Sequence, residues 1–231
     1  MNNFSTSIPN RDERQRGLVP PERLVRCHAV VIGVGAIGRQ VALHLAALGI
    51  ARMTLFDHDT VQAVNLAPQG YWPEDLQQPK VNATAEICRR IHPPLPIMAV
   101  PERFKRSTMR EVSFDGEPII FCCVDSIVTR RMIWESVRSS ASFFVDGRMS
   151  AEVVRVLAVN EPTVNDYYRQ TLFAAEEAYA GACTARSTIY TASIVAGLMI
   201  HQFAKWLRRL PVDADLVLNL LAAELTVGGA S

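Results

Sequence analysis

The chain has almost no net charge, because its 24 lysines and arginines nearly balance 23 aspartates and glutamates, which leaves +1. Such a balance gives no global attraction to nucleic acid or to an anionic membrane. The longest apolar stretch, residues 189–207, contains His201, Gln202 and Lys205, and it therefore predicts a buried helix rather than a membrane span. The first residues lack the apolar run of a secretory signal. We expect a cytoplasmic protein with no nucleic-acid or membrane partner.

The cysteines do not form a C-x-x-C pair. The five are Cys27, Cys88, Cys122, Cys123 and Cys183. Without such a pair the ligands of a ribbon-type structural zinc site are missing, so no zinc is expected. An odd number in a cytosolic chain also argues against a disulfide framework. Each cysteine is then either a small buried apolar residue or a reactive thiol.

A glycine-rich stretch, VVIGVGAIGRQ at residues 30–40, lies between an apolar strand and a helical pattern. Gly33, Gly35 and Gly38 have the spacing G-x-G-x-x-G, which lets backbone N–H groups and a helix N-terminus approach phosphate oxygens. The alternative is that these glycines serve only tight packing of the helix on the strand. Asp57 ends the next strand, about 20 residues further on, where a carboxylate can accept hydrogen bonds from ribose hydroxyls.

Alternating strand and helix patterns predict an α/β protein over residues 27–231. The expected architecture is a doubly wound Rossmann-like nucleotide-binding fold, with a mostly parallel sheet and helices on both faces. One helix begins near Pro79, and a pair of later strands is expected to turn at Asp146 and Gly147. Residues 1–26, rich in Arg, Glu and Pro, predict an extended arm with one short helix.

The residues after Asp57 separate two kinds of nucleotide site. They include Asp59, Asn65, Gln69 and Lys80. An NAD site does not need this set. A site that cleaves ATP between the α- and β-phosphates needs positive charge, amide donors and a metal-binding acid near the triphosphate. An NAD(P)-dependent oxidoreductase therefore remains only an alternative.

The ordered series of motifs resembles the ATP site of the ubiquitin-activating and ThiF-type adenylating enzymes. The matching segments are Gly33-x-Gly35-x-x-Gly38, Asp57-His58-Asp59-Thr60-Val61, Asn65-Leu66 with Gln69, Pro79-Lys80 and Val124-Asp125-Ser126, within residues 11–150. The resemblance implies ATP-dependent adenylation of the C-terminal carboxylate of a small ubiquitin-like or sulfur-carrier protein that ends in glycine. A homodimer is the expected assembly, although a related chain could be the partner.

The same resemblance assigns roles to individual residues. Asp57 would bind the ribose, Lys80 the phosphates, and Asp125 the Mg²⁺ that bridges them. Asp59 and Asn65 would lie beside the α-phosphate. Taken alone, Lys80 could instead be a solvated lysine at a helix start, and Asp125 a helix N-cap.

Three further positions qualify the resemblance. Pro68 replaces the family's arginine in N-L-x-R-Q, which keeps open a non-catalytic scaffold half of a heterodimer. Arg148 is a candidate substitute for the lost charge, its alternative being a surface arginine. Arg14, in RDERQRGL, falls on the family position whose arginine reaches the ATP of the partner subunit, or else belongs to a solvated tail.

Cys183 is the candidate acyl acceptor, because it lies in a Gly-Ala-rich segment and Arg186 could favour its thiolate. A buried structural cysteine is the alternative. Residues 160–187 form a candidate crossover loop through which the substrate's tail threads. If Cys183 accepts the acyl group, the product is a thioester destined for a conjugating enzyme. If it does not, the product is a released acyl-adenylate or a thiocarboxylate made elsewhere.

Overall fold

One twisted sheet organises the protein. A computed structural model describes residues 10–108, 116–172 and 187–229. The strands of these residues are β1 (Cys27–Ile32), β2 (Arg52–Phe56), β3 (Ile97–Val100), β4 (Glu117–Cys122), β5 (Phe143–Ser150), β6 (Val153–Val159), β7 (Asp215–Asn219) and β8 (Glu224–Gly228). Their spatial order is β3-β2-β1-β4-β5-β6-β7-β8. The five from β3 to β5 pair in parallel, and β6 to β8 continue the sheet antiparallel. The predicted mostly parallel α/β fold is confirmed.

Helices cover both faces of the sheet. They are α1 (Pro21–Leu24), α2 (Ala36–Leu48), α3 (Ala63–Gln69), α4 (Lys80–Ile91), α5 (Ile127–Val137), α6 (Asn165–Gln170) and α7 (Ile189–Leu207). On one face α2, α4 and α7 pack with Ala29 and Val31 of β1, while α5 and α6 pack over Val30 and Ile32 on the other. Alternate residues of one strand thus enter two cores, which is why β1 is apolar throughout.

Helix α7 matches the buried helix expected at residues 189–207. Its residues Val195, Met199 and Phe203 are fully buried and pack in the core that α7 shares with α2 and α4. Among the helices of the described ranges, none has the length and apolar character needed to cross a membrane.

The expected turn at Asp146 and Gly147 is wrong. Both residues lie within β5, and the chain reverses after it, at Ala151 and the following residue. A Cβ on Gly147 would lie 2.4 Å from the sulfur of Met199 in α7. This glycine is therefore required for the close approach of helix and sheet rather than for a turn. Strands β7 and β8 were not predicted at all.

The described part of the arm, residues 10–26, folds back on its own chain. It contains a short 3₁₀ turn, Glu13–Gln15, and helix α1. Arg11 donates to the carbonyl of Ala46 at 2.7 Å, and Gln15 donates to that of Leu48 at 2.8 Å, so both side chains bond carbonyls of the last turn of α2. Cations and donors are favourable at this end of a helix.

Replacement of Gly38 by alanine tests the contact between α2 and the loop before it. A Cβ at Gly38 would lie 1.8 Å from the carbonyl oxygen of Gly33, so backbone must move. We expect Gly38→Ala to lower the free energy of unfolding by at least about 2 kcal/mol. Gly197→Ala, inside α7 with no atom within 4 Å of the new Cβ, should raise it by up to about 1 kcal/mol. Urea denaturation of the two variants measures both values, and equal effects would contradict the close contact.

Candidate functional site

A cavity of about 730 Å³ opens at the carboxyl ends of the parallel strands. Its charged and glycine lining includes Gly33 and Gly35 after β1, Asp57 and Asp59 after β2, Arg103 after β3, Asp125 after β4, and Arg148 in the second half of β5. The chain runs outward from β1 to β2 and β3, then crosses back to β4 beside β1. The cavity therefore lies where the strand order reverses, the usual ligand position in open α/β sheets.

The three glycines of the G-x-G-x-x-G stretch have different surroundings. Gly33 has φ of +86°, and a Cβ there would lie 2.8 Å from the carbonyl oxygen of Cys123. Gly38 contacts Gly33 and does not line the cavity. A Cβ on Gly35, by contrast, would meet no atom closer than the Gln69 amide oxygen at 4.0 Å. The packing explanation thus covers Gly33 and Gly38, while the space beside Gly35 is open toward the cavity.

Backbone donors face that space. Helix α2 begins at Ala36, and its first intrahelical N–H bond runs from Arg39 to the carbonyl of Gly35 at 3.0 Å. The N–H groups of residues 36–38 therefore have no partner within the helix. Ala36 and Ile37 line the cavity, so these donors and the positive end of the helix dipole are placed for an anion.

Asp57 joins the loop after β1 to the loop after β2. One carboxylate oxygen accepts the Val34 N–H at 2.6 Å, and the other accepts the Asp59 N–H at 2.9 Å. Each oxygen retains a lone pair for a further donor, which suits a ribose hydroxyl. The carboxylate is fixed in place before any ligand arrives.

The loop after β1 is also held from the side of α3 and α4. The Tyr71 hydroxyl donates to the carbonyl of Val34 at 2.7 Å. The guanidinium of Arg39, in α2, lies 4.1 Å from the centre of the Tyr71 ring and donates to the carbonyl of Gly70 at 3.0 Å. No sequence motif predicted a role for Tyr71 or Arg39 at this site.

Lys80 is buried, with 6% of its surface exposed, so the solvated-lysine alternative is wrong. Its ammonium pairs with a carboxylate oxygen of Asp59 at 2.9 Å, and its own N–H bonds the carbonyl of Asp59 at the start of α4. Burial alone would raise the pKa of Asp59, but the hydrogen bond and charge of Lys80 hold that pKa below its usual value. A cation and an anion therefore stand side by side at the cavity wall.

Asp125 lies on the cavity wall immediately beyond β4. The residue that caps α5 is Ser126, whose hydroxyl accepts the Thr129 N–H at 3.3 Å, so the N-cap alternative for Asp125 is wrong. Within the described ranges Asp125 has no ion pair. Mg²⁺ in nucleotide sites is commonly held by one or two carboxylates together with phosphate oxygens and water, and a free carboxylate facing the cavity fits that role.

Asp57, His58 and Asp59 also place three potential metal-ligand atoms within 4.8 Å of one another. The carboxylate of Asp59 already pairs with Lys80, and that of Asp57 already accepts two backbone N–H groups. Asp125 is therefore the carboxylate better suited to a metal ion that accompanies phosphate.

The two amides of the motif have different positions. Gln69 lines the cavity, and its buried side-chain oxygen has no hydrogen-bond partner among the described residues. Asn65 does not line the cavity. Its side-chain oxygen accepts the Gln62 N–H at 3.0 Å, which is a capping hydrogen bond at the N-terminus of α3. Pro68 lies inside the same short helix.

Arg148 lines the cavity rather than the outer surface. Its guanidinium donates to Asp146 at 2.8 Å and to the carbonyl and hydroxyl of Thr171 at 3.0 and 3.1 Å. The buried Arg130 pairs with the same Asp146 and also donates to the carbonyls of Val124 and Gly147. The sequence pattern did not indicate Arg130 or Asp146 as site residues. Arg130 lies one turn into α5, the helix that follows the cavity-facing end of β4.

Arg103, which lines the cavity beyond β3, was missed as well. Its side chain is exposed and near enough to Asp59 to contribute to lowering the pKa of that carboxylate, after Lys80 and His58. Position at the carboxyl end of a parallel strand is the signal that could have found it.

Comparison with known proteins agrees with this geometry. The ThiF family matches residues 12–224. The chain belongs to the ThiF family. A molybdopterin-synthase adenylyltransferase of Salmonella typhimurium is 28% identical over 61% of the chain and 58% of its own length. The sulfur carrier protein ThiS adenylyltransferase of Escherichia coli is 26% identical over 48% of the chain and 45% of its own. The match thus spans about half the length of these curated relatives.

A solved structure shares the fold across the whole chain. The crystal structure of PaaA superposes with a TM-score of 0.77 at 18% identity, covering 99% of this chain and 86% of that one. At that identity the likeness concerns architecture alone. The family resemblance drawn from the motifs is confirmed.

The described cysteines of this ThiF-family chain are not activated thiols. Burial is the main cause that raises the pKa of Cys27 and of Cys88 to about 12, and it also raises the pKa of Cys122 and Cys123. None of these four is therefore a ready nucleophile. Cys183, the candidate acceptor, lies outside the described residues, as do Arg186 and part of the candidate loop 160–187. The described start of that loop contains the short helix α6.

Arg14 is exposed and does not line its own chain's cavity. Its neighbours Arg11 and Gln15 contact the C-terminal turn of α2, whereas the cavity lies at the N-terminus of that 13-residue helix. At 1.5 Å per residue the two ends are about 20 Å apart. Any contact of Arg14 with a nucleotide would have to be made in a second chain.

Replacement of Gly35 by alanine separates packing from ligand binding. The new methyl group meets no close protein atom, so the free energy of unfolding should change by less than about 1 kcal/mol. Affinity for ATP with Mg²⁺ should fall at least about tenfold, because the methyl group occupies space between the backbone donors and a phosphate. Calorimetric titration measures the affinity, with Gly197→Ala as the matched control. Wild-type affinity in Gly35→Ala would contradict a phosphate at this loop.

Proposed function

We propose that the protein uses ATP and Mg²⁺ to adenylate the C-terminal carboxylate of a small ubiquitin-like or sulfur-carrier protein that ends in glycine. The observation that carries the proposal is the combination, around one cavity, of an open position at Gly35, the buried Lys80–Asp59 pair and the free carboxylate of Asp125. The relatives named adenylyltransferases support the reaction class.

The residues divide the work along the nucleotide. Asp57 binds the ribose hydroxyls, while the N–H groups of the α2 N-terminus and Lys80 bind the phosphates. Asp125 would hold the Mg²⁺, which would supply positive charge to the phosphate oxygens when bound. The substrate carboxylate forms a new bond to the α-phosphorus, and the bond to the pyrophosphate oxygen breaks, which gives an acyl-adenylate.

Two alternatives are less well supported. An NAD(P)-dependent oxidoreductase needs neither the Lys80–Asp59 pair nor a free Asp125, and ATP rather than NAD should raise the melting temperature. A non-catalytic scaffold is favoured only by Pro68, and such a scaffold could lose the charges at Asp57, Lys80 and Asp125 without penalty.

The proposal extends to assembly and location. A homodimer would bring Arg14 of each arm, residues 1–26, to the cavity of the adenylation domain, residues 27–231, of the other chain. A dimer with a related chain would do the same. We place the enzyme in the cytoplasm, with no zinc, nucleic acid or membrane required for its activity. If Cys183 carries the acyl group, a conjugating enzyme would be the next acceptor.

Substitutions at Lys80 and Asp125 test the site. Each of Lys80→Ala and Asp125→Ala removes one charge from the phosphate and metal region, so the rate of carrier-dependent ATP–pyrophosphate exchange should fall at least about 100-fold. The assay uses labelled pyrophosphate and a panel of purified ubiquitin-like and sulfur-carrier proteins that end in glycine. Lys105→Ala, an exposed lysine outside the cavity lining, is the control and should retain the wild-type rate. Near-normal exchange in either site variant would refute the assignment.

Cys183→Ala tests the thioester branch. Exchange should persist, because adenylation precedes acyl transfer, while a thiol-sensitive adduct between enzyme and carrier disappears from non-reducing gels. The four described cysteines remain in this variant. An adduct that survives the substitution would assign the acceptor role to one of them instead.

A further inference from the structure

Two arginines share one aspartate on the β5 side of the cavity. Asp146 is fully buried, and Arg130 and Arg148 both pair with it. The Tyr168 hydroxyl also donates to Asp146, at 3.0 Å, but brings no charge. Two positive charges against one negative charge leave this wall with an excess of +1 among the described residues.

The neighbouring charges do not remove this excess. Asp215, whose carboxylate feels the charge of Arg148, is already bonded by Arg155 at 2.7 and 2.9 Å. Asp125, on the β4 side of the same cavity, forms no ion pair with either arginine among the described residues. Burial lowers the pKa of both Arg130 and Arg148, and a neighbouring positive charge lowers each further, that of Arg148 acting on Arg130 and that of Arg155 acting on Arg148. Arginine stays charged even so, and a desolvated positive charge is costly unless an anion approaches it.

Arg148 has donors left for such an anion. Its guanidinium carries five N–H donors, of which three are used, one by Asp146 and two by Thr171. Its side chain is 15% exposed and lines the cavity. These contacts fix the guanidinium in orientation, so that little side-chain entropy remains to be lost when a ligand binds.

The position of Arg148 distinguishes it from the phosphate-binding groups. Ile32, Cys122 and Asp146 are register partners on the adjacent strands β1, β4 and β5. At about 4.8 Å per strand, β5 lies about 10 Å from the strand that leads into the glycine loop. Asp57 follows β2, on the opposite side of β1 from β4, and Lys80 lies on that same side because it pairs with Asp59. An anion at Arg148 would therefore sit beside the triphosphate, across β4 and Asp125, rather than in its place.

Resting on the proposed function, we propose that Arg148 is a specificity-determining residue that binds the C-terminal carboxylate of the carrier protein and directs it toward the α-phosphate. Arg148 then does not replace the arginine lost at Pro68. It selects a free chain terminus over an amide or an internal peptide bond, because only the terminus carries a charge for the guanidinium.

Two short peptides test this selection on the full-length protein. Both end in Gly-Gly, one with a free carboxylate and one with a C-terminal amide, and each carries a fluorophore at its N-terminus. Their dissociation constants are measured by anisotropy with the ATP site filled by Mg²⁺ and an ATP analogue that has a methylene group between the α- and β-phosphates. Wild-type protein should bind the acid at least about tenfold more tightly than the amide.

Arg148→Gln should abolish that preference while changing the calorimetric dissociation constant of the ATP analogue less than about twofold. The variant should fold, since Arg130 and Asp146 remain as a matched pair. Arg106→Gln, which removes an exposed arginine paired with Glu135 outside the cavity, is the control and should keep the preference.

The outcomes separate the two proposals. Equal binding of acid and amide by wild-type protein would overturn the role of Arg148 and leave adenylation intact. Weaker binding of the ATP analogue by Arg148→Gln, with the peptide preference kept, would assign Arg148 to the phosphates instead. Binding of the analogue but of neither peptide would overturn both the inference and the proposed class of substrate.

Discussion

The hydrogen bonds of the Asp57 carboxylate determine the geometry of the whole site. That carboxylate bonds the N–H of Val34 in the loop after β1 and the N–H of Asp59 in the loop after β2. Asp59 in turn pairs with Lys80 at the start of α4. A single side chain thus sets the distance between the backbone donors of the glycine loop and the cation that faces them. Preorganisation of this kind avoids ordering those groups when a ligand binds.

The cavity has two differently built sides. On the β1–β2 side, backbone amides and the Lys80–Asp59 pair present alternating charge, which suits the phosphates and ribose of a nucleotide. On the β4–β5 side, Arg130 and Arg148 crowd one buried aspartate, and the wall is positive. Asp125 lies between them. The proposed reaction joins a carboxylate to a phosphate and needs two anions brought together, and a carboxylate proposed to bind Mg²⁺ between two cationic regions would suit that requirement.

The sequence was sufficient for features that depend on local pattern. Continuous apolar strands, the glycine spacing and the order of the acidic and basic motifs predicted a mostly parallel sheet and the family. The sequence was insufficient where contacts between distant elements determine the position or role of a residue. Gly147 resembles a turn residue, yet α7 packs against it. Asn65 fits the motif but caps α3, and Arg130 acquires importance only because β5 brings Asp146 beneath it. Strand β8 exposes most of its residues, so burial left little pattern to detect.

Strand pairing changes from parallel to antiparallel at β6, and the two parts of the sheet differ in how well they tolerate inserted residues. Parallel strands need long crossovers that return over the sheet, and in this protein the crossovers contain loops that line the cavity. Strands β6 to β8 follow the segment from Gly33 to Lys80 in the chain, so residues added among these strands do not interrupt that segment. A short reversal joins β7 to β8. Inserted segments or a whole appended module could therefore attach at that reversal while the parallel part of the sheet keeps its register, which gives this architecture a natural place to diversify.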